Sequence, residues 1–256
     1  MDQLTQYLML AATGYQAPPS GENTYSSGSY TWTAPGGVTS VSVCCIGSGS
    51  TSAYIRASGG LAWMSNYTVS TGTNYTVNVG TASTRSGSYF KDTSTCYAET
   101  YAGNEWSARP GGSYTVTSSG NTSRGGGQGG QTGNSGGGGQ GGGGCAGYTG
   151  TGGNGGPTPS GGSGGGGGGT GIIVKGSSGA GGGNGSAGNG GGGGGGAGSS
   201  SGGSSYPGYG GSGGGNGSGS GGGSYGGGGG WTSSVGGGGV RIIWPGDTRT
   251  YPDNSS

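Results

Sequence analysis

From Ser160 to Gly203 the chain reads SGGSGGGGGGTGIIVKGSSGAGGGNGSAGNGGGGGGGAGSSSGG. A stretch with so few side chains cannot build a core of its own, and this constrains the fold more than any other feature. Of the 83 glycines, 66 fall in residues 121–240 and 16 in residues 1–120, which marks a domain boundary. A flexible Gly/Ser linker is the commonplace reading of such composition. An ordered tract must instead offset about 1–2 kcal/mol of backbone entropy per residue, on the order of 100 kcal/mol in all. Without side chains, the sources are backbone hydrogen bonds, worth roughly 0.5–1.5 kcal/mol net each, and dense main-chain contacts. The polyproline-II conformation permits both, because it makes no internal hydrogen bonds and turns every N–H and C=O outward. Several such left-handed passes of glycine can lie side by side and bond to one another. Collagen's strict G-X-Y pattern is absent and there are only 9 prolines, so residues 121–240 are expected to form a folded-back polyglycine-II bundle.

The glycine runs are interrupted at Cys145–Gly161, Ser199–Gly210, Ser224–Gly226 and Trp231–Gly236, and these pieces carry Tyr148, Tyr206, Tyr209, Tyr225 and Trp231 with several prolines. Aromatic rings at loop tips on a rigid scaffold form recognition surfaces, which makes these five residues the candidate receptor-binding set. Their alternative role is to cap the edges of the bundle and shield them from water.

Residues 15–120 read differently. Short apolar alternations at Tyr30–Thr33, at Val41, Val43 and Cys45, and at Tyr75, Val77 and Val79 predict strands. Further strands are expected at Leu61–Val69, Ser88–Lys91, Thr95–Thr100 and Tyr114–Thr117, which together suggest a small β-sandwich. GIIVKG and GGGGVRIIWPG carry β-branched apolar residues inside or after the glycine tract, and residues 241–256 are expected to return to the sandwich or to close the bundle. At the other end, MDQLTQYLMLAAT predicts a short helix over residues 1–14, with Leu4, Tyr7, Leu8 and Ala11 on one face and Asp2 as N-cap. So short a helix needs a surface to rest on. That surface is either another protein, making the face a docking peg, or the chain's own sandwich.

Little in the composition points to catalysis. Histidine, the commonest general base, is absent, and the seven acids are scattered. G-x-G-x-x-G is unavoidable in polyglycine, and GGGTGIIVKGSS lacks the order of a phosphate loop. No catalytic residue, metal site or cofactor is assigned. Cys44, Cys45, Cys96 and Cys145 form no C-x-x-C site; a Cys45–Cys96 disulfide and free buried thiols are both open. A net charge of +1 gives no footprint for nucleic acid, and no stretch approaches the roughly 20 apolar residues of a membrane span.

SYTWTAPGGVTSVSVCCIGSGS followed by NYTVNVG resembles the β-rich lead segment of glycine-rich phage tail proteins. The polyglycine tract broken by aromatic loops resembles the distal adhesins of T-even-like phage long tail fibres, and GGGGVRIIWPGDTRTYPDNSS is similar to the ending of glycine-rich structural proteins of marine cyanophages. The resemblance implies a virion protein, exposed on a tail fibre. It would be anchored to another tail-fibre or virion protein through its N-terminal region and would bind a host surface protein or glycan. A virion decoration or fibre protein without a receptor role is the alternative, ahead of an ice-binding polyproline-II bundle and a silk-like matrix protein.

Overall fold

The computed structural model describes residues 19–50, 58–81, 86–100, 112–117, 123–128, 146–148, 150–152 and 236–251. These form ten strands: β1 (Gly21–Tyr25), β2 (Gly28–Thr33), β3 (Ser40–Ile46), β4 (Leu61–Thr68), β5 (Asn74–Val79), β6 (Ser88–Phe90), β7 (Cys96–Ala98), β8 (Tyr114–Val116), β9 (Ser123–Gly127) and β10 (Gly239–Trp244). Two antiparallel five-stranded sheets result. Sheet A has the order β1-β10-β3-β4-β9 and sheet B the order β2-β5-β6-β7-β8. The described residues contain no helix; the N-terminal helix expected over residues 1–14 lies outside them.

Alternation dictates the core between the sheets. Val41, Val43 and Cys45 of β3, Ala62 and Met64 of β4, and Val240 and Ile242 of β10 meet Val77 and Val79 of β5, Phe90 of β6 and Cys96 of β7. Trp32 of β2 joins the layers, its ring centroid 5.8 Å from that of Trp244 in sheet A and 6.1 Å from that of Phe90 in sheet B. Fully burying each such apolar side chain contributes about 1.5–3 kcal/mol, the main force holding the sheets face to face. Where β3 meets β4 the register shifts between Val41 and Val43, and Asn66 takes a φ of 57° beside the shift. Asparagine is one of the few non-glycine residues that adopt this left-handed conformation without large strain.

The inner strands of sheet A, β3, β4 and β10, are buried on both faces, which explains why β10 reads as a mostly apolar run, broken at Arg241, instead of an alternation. Its outer face carries a second cluster, in which Cys44, Ile46, Leu61, Trp63 and Ile243 pack under Ala146, Tyr148 and Tyr251. The C-terminal segment thus returns to the sandwich: β10 pairs with β1 on one side and with β3 on the other, as an interior strand.

The outset of the glycine tract departs from the expected left-handed bundle. Gly125, Gly126 and Gly127 belong to β9, a pleated strand pairing with β4, so the sandwich continues past residue 120. The glycine half of this strand is covered by its neighbours' rings. Trp63 lies across its register partner Gly125, where an added Cβ would sit 2.8 Å from the indole, and Tyr114 lies across Gly126, where it would sit 2.7 Å from the phenol ring. The rest of the tract, apart from residues 146–148, 150–152 and 236–240, lies outside the described residues.

Candidate functional site

The strand pairings sort the connections into two ends. At one end lie the connections 34–39, 69–73, 91–95 and 117–122, none longer than six residues. At the other lie 47–60, 80–87, 99–113 and 128–238, together with the tight link between β1 and β2. Every long connection of the sandwich, including the one that holds the glycine tract, leaves from the same end.

The described roots of these connections explain how so many passes fit there. Packed sheets ordinarily stand about 10 Å apart, the distance set by their side chains. Here they converge to hydrogen-bonding contact. The amide of Gly47 donates to the carbonyl of Gly60 (3.0 Å), that of Gly60 to Glu99 (3.0 Å), and that of Glu99 to Ser113 (2.8 Å), a ladder running from sheet A into sheet B. Gly112 donates to Ser58, Gly49 to Gly236 and Gly238 to Gly80, each at 2.8 Å. Glycine is required along this seam because there is no room for a β-carbon. A Cβ would lie 1.8 Å from the Gly47 carbonyl oxygen if added at Gly59, and 1.9 Å from that of Glu99 if added at Gly112. Small hydroxyl residues bond what remains: the Ser48 and Thr100 hydroxyls are 3.0 Å apart, Thr100 donates to the Ser86 carbonyl at 2.9 Å, and Ser88 Oγ accepts the Gly80 amide at 2.9 Å.

Of the five aromatic residues expected to contact a receptor, Tyr148 is described, and it corrects the expectation. It is 1% exposed, stacked on Tyr251 at a centroid distance of 5.7 Å, and its carbonyl accepts the indole N–H of Trp63 at 2.9 Å. Burial pushes its phenol well above the usual tyrosine range. A ring held this way covers the outer face of sheet A and cannot meet a ligand. Tyr206, Tyr209, Tyr225 and Trp231 lie outside the described residues, as do Leu4, Tyr7, Leu8 and Ala11 of the expected docking face. Cys44, Cys45 and Cys96 are buried, and Cys45 and Cys96 form no disulfide with each other. The Cys45 thiol reaches the Cys96 carbonyl oxygen at 3.6 Å, and burial raises its pKa well above the ordinary thiol value.

Two ion pairs fasten one edge of sheet A. Glu22 of β1 accepts from Arg241 at 2.8 Å and from Arg249 at 3.0 Å, and the hydrogen bond from Arg241 is the largest influence holding its carboxyl below the usual glutamate value. Arg249 also donates to the Gly21 carbonyl at 2.6 Å, fastening the segment after β10 to the edge strand. Among the described residues no group of three or more His, Cys, Asp or Glu side chains could hold a metal ion.

The outer face of sheet B is of another kind. Its five strands, GSYTWT, NYTVNV, SYF, CYA and YTV, contain no Asp, Glu, Lys or Arg. Since Val77, Val79, Phe90, Cys96 and Ala98 face the core, their alternates Asn78, Tyr89 and Tyr97 face outward. This row escapes a sequence reading centred on the tract; its one signal there is an alternation whose polar positions carry no charge. No family model, curated protein or solved structure matches the chain.

Proposed function

We propose that this chain is a structural protein of a tailed-phage virion, an adhesin at the distal end of a tail fibre that binds a surface protein or glycan of the host cell. In this reading the sandwich is the base and the glycine tract is an ordered polyglycine-II bundle rising from the seam. Tyr206, Tyr209, Tyr225 and Trp231 sit on its loops, and Leu4, Tyr7, Leu8 and Ala11 dock the chain to another fibre or virion protein. The observation that carries it is the convergence of every long connection on one end of the sandwich, through glycines whose amides bond neighbouring segments. A sandwich that gathers its long connections at one end presents them together, as antibody domains do. The second reading, a decoration or fibre protein without a receptor role, is favoured by Tyr148, an aromatic of the tract spent on covering a sheet.

Electron microscopy of phage particles labelled with an antibody to this chain, paired with adsorption assays, separates the two. The expected result is label at the fibre tips, loss of incorporation when residues 1–14 are deleted, and reduced adsorption with alanine at Tyr206, Tyr209 and Trp231. Label on the head or tail tube, with unchanged adsorption, selects the decoration role, and particles without the chain overturn both.

A further inference from the structure

We infer that the outer face of sheet B is a second binding surface, a platform for uncharged glycans; this rests on the host-surface reading and names a ligand class for it. Strand register places Asn78 opposite Tyr89, Tyr89 opposite Tyr97, and Tyr97 opposite Thr115, so that one row crosses four neighbouring strands. With strands about 4.8 Å apart, the row extends roughly 14 Å. Thr31 and Thr76, a register pair, are exposed beside it.

Both tyrosines are half-buried, and the ring of Tyr97 is laid down over the neighbouring chain: a Cβ added at Gly87 would sit 2.2 Å from its Cε2. Partial burial is the main cause that raises the Tyr97 pKa, so the phenol stays neutral at physiological pH. Asn78 donates to the Gly87 carbonyl at 3.1 Å, which fixes the amide and leaves its oxygen for an incoming hydroxyl.

The chemistry of the face selects among ligands. Solvent-facing sheets ordinarily carry charge, which keeps them soluble and unpaired. The row offers hydroxyls, an amide and aromatic rings, and the charge beside it is the carboxylate of Glu99, which also raises the Tyr97 pKa, so the face gives nothing to a phosphate or a carboxylate. It complements a neutral sugar, whose C–H face lies on an aromatic ring while its hydroxyls bond amide and hydroxyl groups. Sheet A has no counterpart to this platform, since Tyr148 and Tyr251 cover its outer face.

The test uses the full chain against a panel of neutral gluco-, galacto-, manno- and rhamno-oligosaccharides with sialylated and sulfated ones as controls. Binding of neutral members is expected, retained within about threefold in Y89F/Y97F and weakened at least about tenfold in Y89A/Y97A, as loss of two stacking rings requires. Thr76→Glu, which places a charge on the exposed face without removing a packed ring, is expected to weaken it as strongly, so a Y89A/Y97A chain that fails to fold does not end the test. Absence of binding to any neutral member, preference for the anionic ones, or unchanged affinity in these variants overturns the platform. Ice-growth inhibition abolished by the same substitutions overturns it in favour of an ice surface. Label at the fibre tips together with unchanged glycan binding in Thr76→Glu sinks the platform alone, whereas glycan binding by a chain absent from particles sinks the virion reading alone.

Discussion

Gly59→Ala is expected to destabilise the sandwich by more than about 3 kcal/mol, a large share of the 5–15 kcal/mol typical of a whole domain. The added methyl would stand 1.8 Å from the carbonyl oxygen of Gly47 and 2.3 Å from its carbon, so two backbones rather than a flexible side chain would have to move. Those backbones cannot separate alone, because Gly47 bonds to Gly60 and Gly60 to Glu99 across the seam. Gly36→Ala is the internal control. Nothing lies within 4 Å of its added methyl, and its effect is expected to stay within about 0.5 kcal/mol. Thermal unfolding followed by circular dichroism reads both; a lowering of the midpoint by about 10 °C or more is expected for Gly59→Ala and little change for Gly36→Ala. Equal midpoints would mean that the seam is not a close contact between backbones.

A chain ending at residue 238 is expected not to fold. It lacks β10, which pairs with β1 through Gly21–Tyr25 and with β3 through Ser42–Ile46, and which supplies Val240, Ile242 and Trp244 to the inner core. Ile243 and Tyr251 leave the outer cluster with it. At about 1.5–3 kcal/mol per buried apolar side chain, these five residues together account for on the order of 10 kcal/mol, as much as a domain's net stability. Keeping β10 at the far side of the tract is comparatively cheap. Closing a flexible loop of roughly 110 residues costs only about 3 kcal/mol more than closing one of five. The truncated chain should lose its near-ultraviolet circular dichroism and its cooperative transition, and a synthetic peptide covering residues 236–251 should restore them. A cooperative transition without the peptide would show that the sheet closes some other way.

Much of the sandwich was legible because its strands alternate. Val41, Val43 and Cys45, then Val77 and Val79, face one side as their spacing requires, and the short strands at Ser88, Cys96 and Tyr114 fall between turn residues. Two strands were not legible. β1 is an edge strand of polar residues with only Tyr25 packed on the core, and β9 ends in a run of glycine covered by the rings of Trp63 and Tyr114. Tyr148 shows a related limit. In a tract without side chains an isolated ring marks a site of contact, and spacing does not say whether the contact is with a ligand or with the chain's own sheet. The row Asn78–Tyr89–Tyr97–Thr115 depends on the registers of three hairpins at once, where a one-residue slip in any of them would turn its side chains into the core.

Glycine gives this protein its architecture by letting main chains approach until their amides satisfy one another, at the seam and, as proposed, throughout the tract above it. Amide hydrogen exchange on the full chain, read by mass spectrometry peptide by peptide, tests this most directly. Slow exchange is expected for peptides spanning residues 160–230, with protection lost cooperatively in denaturant. Exchange of those peptides at the rate of an unstructured chain, beside a protected sandwich, would contradict it.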